Sequence, residues 1–352
     1  MVPIFIASNT FYSGRTFISI GLALKLMEQG YKVGYLKPLG KIPVKTGKDI
    51  FDADALFIKE TLGLEEPLDV ISPFVQTYES QTLLFEGRLK DVKTQIMTAF
   101  RSLKKKDFVI IGGAGDLFEG ALLGINASSL LKAMKAHLLI VERWHGESST
   151  DSLFGTAKLV GEHFCGGIIN KVPVSAIGYV KDTVRPFLEK KGVKIFGVFA
   201  KDRSLDAITV RQLNYILSGQ VLCCEDRLDE FIENFSIGAM DVDSALNYFR
   251  RTQNKAVITG AHRSDIQLAA LETSTRCIIL TGGITTNAVV IGKAQAKGVP
   301  IISVADDTFT TIDKIEGSMG TTSIREKNKV ERVKELMDIE FDMKRFLKTL
   351  CK

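Results

Sequence analysis

Cysteine, histidine and tryptophan are scarce in this sequence: five, four and one in 352 residues. The cysteines (Cys165, Cys223, Cys224, Cys277 and Cys351) are odd in number and nowhere spaced as CxxC. That argues against a disulfide framework or redox pair and for incidental or buried thiols in a reducing, cytoplasmic setting. The histidines show no paired spacing for zinc. None stands with Ser and Asp as a hydrolase triad would need, although His145, beside Trp144, is a candidate base in a loop. No apolar run reaches the length of a membrane span, and the N-terminus has no basic region or cleavage site. Lys/Arg clusters with interleaved aromatics are absent too. Lys104-Lys105-Lys106 reads as a solvated helix end, so no nucleic-acid partner is expected. There is no internal repeat and no low-complexity stretch.

What is present is ordinary for a globular protein: 45% hydrophobic and 25% charged residues, with a net charge of +5. A chain this long favours two domains. Alternating strands and helices fill the first ~200 residues, the pattern of a doubly wound parallel sheet. Apolar runs predict strands at Pro3–Ala7, Lys32–Leu36, Asp107–Ile111, His137–Val141, Gly167–Asn170 and Lys194–Phe199. Helices are predicted at Thr16–Gln29, Asp52–Leu62, Leu84–Leu103, Ser128–Lys135, Thr150–His163 and Ile177–Lys190. A polar joint at 200–206 leads to a second region. There, strands are expected at Gln220–Cys223, Val257–Thr259, Cys277–Leu280 and Pro300–Ser303, with helices at Thr209–Ser218, Ile266–Leu271 and Asn287–Lys297. One charged amphipathic helix, Lys327–Thr349, is expected to dock on the domain or on a partner subunit.

The stretch from Ile4 to Thr16 carries the most chemistry. A strand runs into a small-residue turn, and Gly14-Arg15-Thr16 opens a helix: a phosphate-binding loop in its proper context. Arg15 stands where Lys is usual and Ser8 where the first Gly is usual. Arg still binds phosphate bidentately but does not substitute freely for Lys. Each residue has a plainer reading as well. Arg15 either holds phosphate or pairs with a carboxylate, and bulky Phe11 and Tyr12 argue for a vestigial loop. Thr16 is a Mg²⁺ ligand or a helix cap. Lys37, before Pro38, counters a phosphate or a substrate carboxylate, or is a solvated strand end. Ligands in such sheets bind at the carboxyl ends of the strands, where Lys37, the Gly112–Gly115 turn and Asn170 also fall.

These motifs in this order resemble dethiobiotin synthetase and its related ATP-dependent ligases over about residues 2–200. Gly34-Tyr35-Leu36-Lys37-Pro38 is similar to their lysine–proline signature. Asp52-Ala53-Asp54 resembles the stretch that supplies a Mg²⁺-binding aspartate, which would be Asp54. Ile168-Ile169-Asn170 resembles the strand whose Asn reads adenine. The resemblance implies a P-loop NTPase-like α/β fold using ATP and Mg²⁺, with Gly14, Arg15, Thr16, Lys37 and Asn170 at the nucleotide. Asp54 and Asn170 have plainer readings too, as a first-turn carboxylate and a loop cap. Gly112 stands in place of the glutamate that would complete the metal site, and Glu119 is a candidate substitute. Lys41 falls where those ligases carry small hydroxyl residues.

In the second region, segments around Gln220–Cys223, Phe235–Met240, Val257–Ile266, Ile279–Gly283 and Gly298–Val304 resemble the DRTGG domain, with His262 where Asp is usual. Gly260, Arg263, Asp265, Gly282 and Gly283 form either a small ligand pocket or glycine turns with a surface Arg–Asp pair. A ligase-like domain (1–202), a DRTGG domain (203–325) and a closing helix (326–352) resemble the N-terminal region of long phosphotransacetylases, ending at Lys352 before their acetyl-transfer domain. The resemblance implies a nucleotide- or metabolite-binding regulatory, oligomeric protein without acetyl transfer of its own. It would answer to a small-molecule effector and work beside a separate phosphotransacetylase subunit. The rival expectation is an ATP-dependent ligase in which Lys37 is catalytic and Mg²⁺ sits on Thr16 and Asp54, joined by Glu119.

Overall fold

The computed structural model describes residues 1–10, 13–47, 49–89, 91–113, 115–318 and 327–350. It divides into two compact units. One is built from Met1–Lys201 with the C-terminal helices, the other from Asp202–Ser323.

The first unit is organised on six strands: β1 (Val2–Ala7), β2 (Val33–Leu36), β3 (Phe108–Gly112), β4 (His137–Arg143), β5 (Phe164–Val172) and β6 (Ile195–Ala200). Their order is β2-β3-β1-β4-β5-β6, and every neighbouring pair is parallel. All residues of β2 and β3 are buried. Burial on both faces explains why these strands read as unbroken apolar runs in the sequence. Each of the six expected strands is found within a few residues of its expected limits. Because β1 lies between β3 and β4, the order reverses around it, and its carboxyl end opens at the switch point of the sheet.

Two expected helices are split. In place of Leu84–Leu103 there is a helix Tyr78–Phe85, begun by a Thr77/Ser80 capping box, and a second, Val92–Ser102, capped by Asp91. Gly87, at φ +68°, turns the chain between them. Similarly, the expected C-terminal helix is two helices, Lys327–Glu340 and Met343–Leu350. The break lies where Phe341 bridges antiparallel to Gly197 of β6 and the Asp342 amide donates to the Phe196 carbonyl (2.7 Å). Asp342 then caps the second helix through the Arg345 amide (3.0 Å). This segment thereby covers an exposed sheet edge. Phe196 and Phe346 meet edge to face at 5.2 Å, and Phe341 and Phe346 at 5.4 Å. Lys327–Glu340 also lies along the helix Arg15–Glu28, close enough that a Cβ on Gly21 would stand 2.5 Å from Met337. A hairpin, Pro43–Thr46 with Asp49–Asp52, was not expected from the sequence.

The second unit holds β7 (Gln220–Cys223), β8 (Asn234–Ile237), β9 (Lys255–Gly260), β10 (Thr275–Thr281) and β11 (Ile301–Val304), ordered β7-β11-β10-β9-β8. Only β7 runs antiparallel to its neighbour. Alternate residues serve opposite faces. Val257, Ile278 and Leu280 pack with Phe249, Ile266 and Val290, whereas Ala256, Ile258 and Ile279 pack with Leu213, Leu217 and Ile315. The strand β8 and the helices Val242–Arg251 and Thr308–Ser318 complete a layered α/β arrangement beyond the expected elements. Cys165, Cys223 and Cys277 are buried and Cys224 is half-buried, all as free thiols; Cys351 lies outside the described residues. No helix among the described residues is long and apolar enough to cross a membrane.

Lys255 is the unusual core residue: it is fully buried. Its ammonium donates to the Thr252 and Ser274 carbonyls (3.1 and 3.0 Å) and to Thr273 Oγ1 (2.9 Å), and lies 5.5 Å from the Phe249 ring centre. Burial pulls its pKa from 10.5 to about 8. The folded chain therefore binds fewer protons than the unfolded chain between those values. The stability set by this residue rises with pH through that window and is lost as pH falls through 8. Urea unfolding of wild type and Lys255→Met, followed by β9 amide resonances, should show the wild type gaining on the variant between pH 7 and pH 9.5; a gap that does not move would refute this. At the covered edge, Phe346→Ala is expected to remove about 3–5 kcal/mol from the first unit, visible as a lower urea midpoint at unchanged slope.

Candidate functional site

At the end of β1 the chain turns into the helix Arg15–Glu28 through Gly14, whose φ of +94° suits glycine. No acidic residue in the first turn offsets the positive end of this helix. Asn170, 5% exposed at the end of β5, fills the open face of Gly14, where a Cβ would stand 2.2 Å from its Nδ2. That nitrogen donates to the Ser13 carbonyl at 2.8 Å. Of the two readings of Asn170, this contact is the loop cap. Ser13 Oγ and Thr10 Oγ1 are buried and find no hydrogen-bond partner among the described residues. Unmet polar groups in a loop of this kind are costly without a ligand. Thr16 stands half-buried at the second helical position. Phe11 and Tyr12 lie outside the described residues.

The base of the loop is tied by Asn9. Its Nδ2 lies 3.2 Å from Glu142 Oε2, 2.7 Å from Ser152 Oγ and 2.9 Å from Thr156 Oγ1. Glu142 is 1% exposed; burial pushes its carboxyl upward, against the pull of the bonds from Ser152 and Asn9. His145 is exposed. Its backbone amide donates to Ser149 Oγ at 2.6 Å, which ties it to the start of the helix Glu147–Val160.

Lys37 is buried, not a solvated strand end. Its Nζ reaches Asp52 Oδ1 at 2.7 Å and Asp54 Oδ2 at 2.9 Å. Asp52, fully buried, also accepts from the amides of Lys41, Ile42, Asp54 and Ala55 at 2.8–3.0 Å. It thereby caps the helix Ala53–Leu62 and closes the hairpin that precedes it. Asp52 was not singled out from the sequence, although an Asp two residues ahead of another at a helix start is a capping signal.

Arg15 points across the site, with Nη1 3.3 Å from the Gly113 carbonyl. Burial pulls its guanidinium below its ordinary value, and Glu119, Tyr35, Asp54 and Asp116 oppose that. Glu119 accepts from the Gly115 amide and pairs with Lys41. Asp116 Oδ1 accepts from the Phe118 and Glu119 amides (2.8 and 2.9 Å). Tyr35, also missed in the sequence, is 4% exposed, and burial pushes its phenol upward, helped by Asp54 and Asp52. A Cβ on Gly112 would stand 2.2 Å from the Tyr35 hydroxyl oxygen. The phenol therefore holds the space that a side chain at 112 would need. Arg15, Lys37, Asp54 and Glu119 are thus brought into one cluster at the carboxyl ends of the strands. Among the described residues, no three His, Cys, Asp or Glu side chains are grouped to hold a metal ion.

In the second unit, Gly260 ends β9, Arg263 and Asp265 follow it, and Gly282 and Gly283 follow β10. Arg263 pairs bidentately with Asp265 (2.9 and 3.0 Å) and donates to the Met240 carbonyl (2.9 Å). Gly282 and Gly283, at φ +96° and +69°, donate to the Asp306 and Val304 carbonyls (2.9 and 2.8 Å). These contacts are those of glycine turns and an Arg–Asp pair. Gln267, fully buried, donates to the Gly260 and Ala261 carbonyls (3.0 and 3.1 Å) and holds the β9 turn.

The tight fit in the first unit is testable. Gly112→Ala should cost about 1–3 kcal/mol by overpacking against Tyr35, and adding Tyr35→Phe should recover a large part. Additive losses in the double-mutant cycle, measured by urea unfolding, would show that the two residues do not compete for this space.

Comparison with known proteins agrees with this geometry. The family described as AAA domain matches residues 3–209, and that described as DRTGG domain matches residues 212–318. The phosphate acetyltransferase of Pseudomonas aeruginosa is 24% identical over 379 residues, an alignment that takes in 100% of this chain and 52% of that protein. The chain spans about half the length of the phosphate acetyltransferases it matches. The ATP-dependent dethiobiotin synthetase BioD of Methanocaldococcus jannaschii is 28% identical over 205 residues, covering 55% of this chain and 92% of that one. Among solved structures, the CBS and DRTGG domains of the regulatory region of Clostridium perfringens pyrophosphatase, complexed with the activator diadenosine tetraphosphate, align with a TM-score of 0.30. They share 21% identity, with 39% of this chain and 61% of that one covered. The chain belongs to the AAA domain family through its first unit, of the dethiobiotin synthetase-like kind, and carries a DRTGG domain in its second, the combination found in the N-terminal half of phosphate acetyltransferases.

Proposed function

We propose that this chain is a nucleotide-binding regulatory protein, with ATP in the first unit and a second ligand or an oligomer contact served by the DRTGG domain. The observation that carries this reading is the loop at Gly14. It offers a helix start with no acidic residue in its first turn, the hydroxyls of Ser13 and Thr10 without partners among the described residues, and Arg15 and Lys37 within one cluster. Such a loop cradles phosphate with backbone N–H groups, and Arg adds charge-assisted bonds. In this reading Asn170 supports the loop, and Thr16, inside the first turn of a helix that has no side-chain cap, stands beside the phosphates. Regulation is favoured over turnover because Arg15 replaces the usual Lys and Gly112 the expected carboxylate. The helix Tyr78–Phe85 buries none of its side chains and exposes Tyr78 and Phe85, which supports a homo-oligomer or a separate phosphotransacetylase subunit as partner. A cytoplasmic location goes with this reading, as ATP is the ligand.

The ATP-dependent ligase stands as the second reading, because the alignment covers 92% of a dethiobiotin synthetase. Lys37 would then neutralise the transferred phosphoryl group. Calorimetric titration of ATP, run with and without Mg²⁺, is expected to give one site per chain in at least one condition. Arg15→Ala should weaken it about 10-fold or more, the worth of a charge-assisted bond. ATP turnover that depends on a small acid and an amine would establish the ligase instead. No heat at millimolar ATP in either condition would remove both readings.

A further inference from the structure

Resting on the nucleotide reading above, we infer that this site takes its nucleotide without a divalent cation, with the Arg15 guanidinium supplying the positive charge that a metal supplies in related loops. Mg²⁺ demands near-octahedral oxygen ligands at about 2.0–2.1 Å and, beside its waters, is usually held by one or two carboxylates together with substrate phosphates. Asp54, the residue matched to the metal aspartate, holds Lys37 through Oδ2 at 2.9 Å. Both oxygens of Asp52 are taken, Oδ1 by Lys37 and the Asp54 and Ala55 amides, Oδ2 by the Lys41 and Ile42 amides. Glu119 is held by Lys41 and the Gly115 amide. No carboxylate can be restored at position 112 without moving Tyr35, whose hydroxyl oxygen would stand 2.2 Å from the Cβ. Burial keeps that phenol protonated, so it brings no charge for a metal.

The same carboxylates are already answered by cations of the chain. Half-buried Arg15 feels the charges of Glu119, Asp54 and Asp116, Lys37 bridges Asp52 and Asp54, and Lys41 meets Glu119. A dication placed among them meets carboxylates whose charge Arg15, Lys37 and Lys41 already answer, and would have to displace one of these cations to gain a ligand. A polyphosphate meets the reverse. It draws Arg15, and Lys37 beside it, into bidentate and charge-assisted bonds while their carboxylates keep amide partners. The donor set does not suit Mg²⁺ but does suit an anion. The metal assignment of Thr16, Asp54 and Glu119 is therefore not carried into this reading.

Calorimetry of the full chain with ATP, once in EDTA and once in excess Mg²⁺, tests this. The expected result is an affinity in EDTA equal to or tighter than that in Mg²⁺, lost about 10-fold or more in Arg15→Ala. Arg15→Lys, which keeps the charge but not the fork, should fall between the two and serves if Arg15→Ala does not fold. Mn²⁺ alone, followed by its paramagnetic resonance signal, should remain free at millimolar protein. Binding that is tenfold tighter with Mg²⁺, or protein-bound Mn²⁺ that Asp54→Asn releases, overturns the inference and leaves nucleotide binding standing. Absence of binding in both buffers overturns the two together.

Discussion

The buried carboxylate of Asp52 is the constraint on which the site depends. Sequestering a charge costs several kcal/mol unless hydrogen bonds and a counter-charge replace the lost water. Asp52 has both: Lys37 and four backbone amides drawn from three parts of the chain. The bonds set where the helix Ala53–Leu62 begins, close the hairpin Pro43–Asp52 and bring Lys37 in from the end of β2. They also leave Lys37 with an orientation it does not choose freely, because removing either partner strands the other. Its ammonium is thereby held 2.7 Å from Asp52 and 2.9 Å from Asp54.

The second constraint is spatial. Tyr35 comes from β2 and Gly112 from the adjacent β3, and the phenol occupies the volume that a side chain at 112 would take. The absence of a carboxylate there is therefore built into the packing of two neighbouring strands. The nearby Arg15 fits the same logic. Its forked guanidinium reaches the Gly113 carbonyl at 3.3 Å, and Glu119, Asp54 and Asp116 act on its charge. Arg15, Tyr35 and Gly112 form one arrangement and are not three separate departures from a common pattern.

Much of this fold was legible in the sequence, for a physical reason. Strands buried on both faces must be apolar throughout, so β1 to β6 announced themselves, and the loop after β1 was readable because Gly14-Arg15-Thr16 sits between a strand and a helix. Contacts made across the chain were not legible. Nothing local to Phe341 says that the helix stops to pair with β6, 144 positions earlier at Gly197. Likewise Asn170 finds Ser13 at a separation of 157 residues, and its side-chain type fits an adenine reader as well as a loop cap. Lys37 was readable as a charge facing a ligand or as a solvated strand end; its burial goes with Asp52, whose own signal is only that of a helix cap. In the second unit, Gly282, Gly283 and the Arg263–Asp265 pair were readable as turn chemistry, and the contacts found are of that kind.

These features bear on regulation through charge. Catalysis of phosphoryl transfer asks for cations that are stronger partners of the transition state than of bound ATP, and a mobile metal with its waters supplies that difference. In the regulatory reading proposed above, the cations fixed by buried carboxylates hold bound ATP without adding that difference. A site of that kind reports the concentration of its ligand. Passing that report to a second domain requires a coupling free energy between two sites, typically 1–3 kcal/mol. Arg15, Lys37 and Lys41 provide the means within the first unit. In the reading proposed above, phosphate would share these cations with Asp52, Asp54 and Glu119, so its binding is felt by the segments that carry those carboxylates.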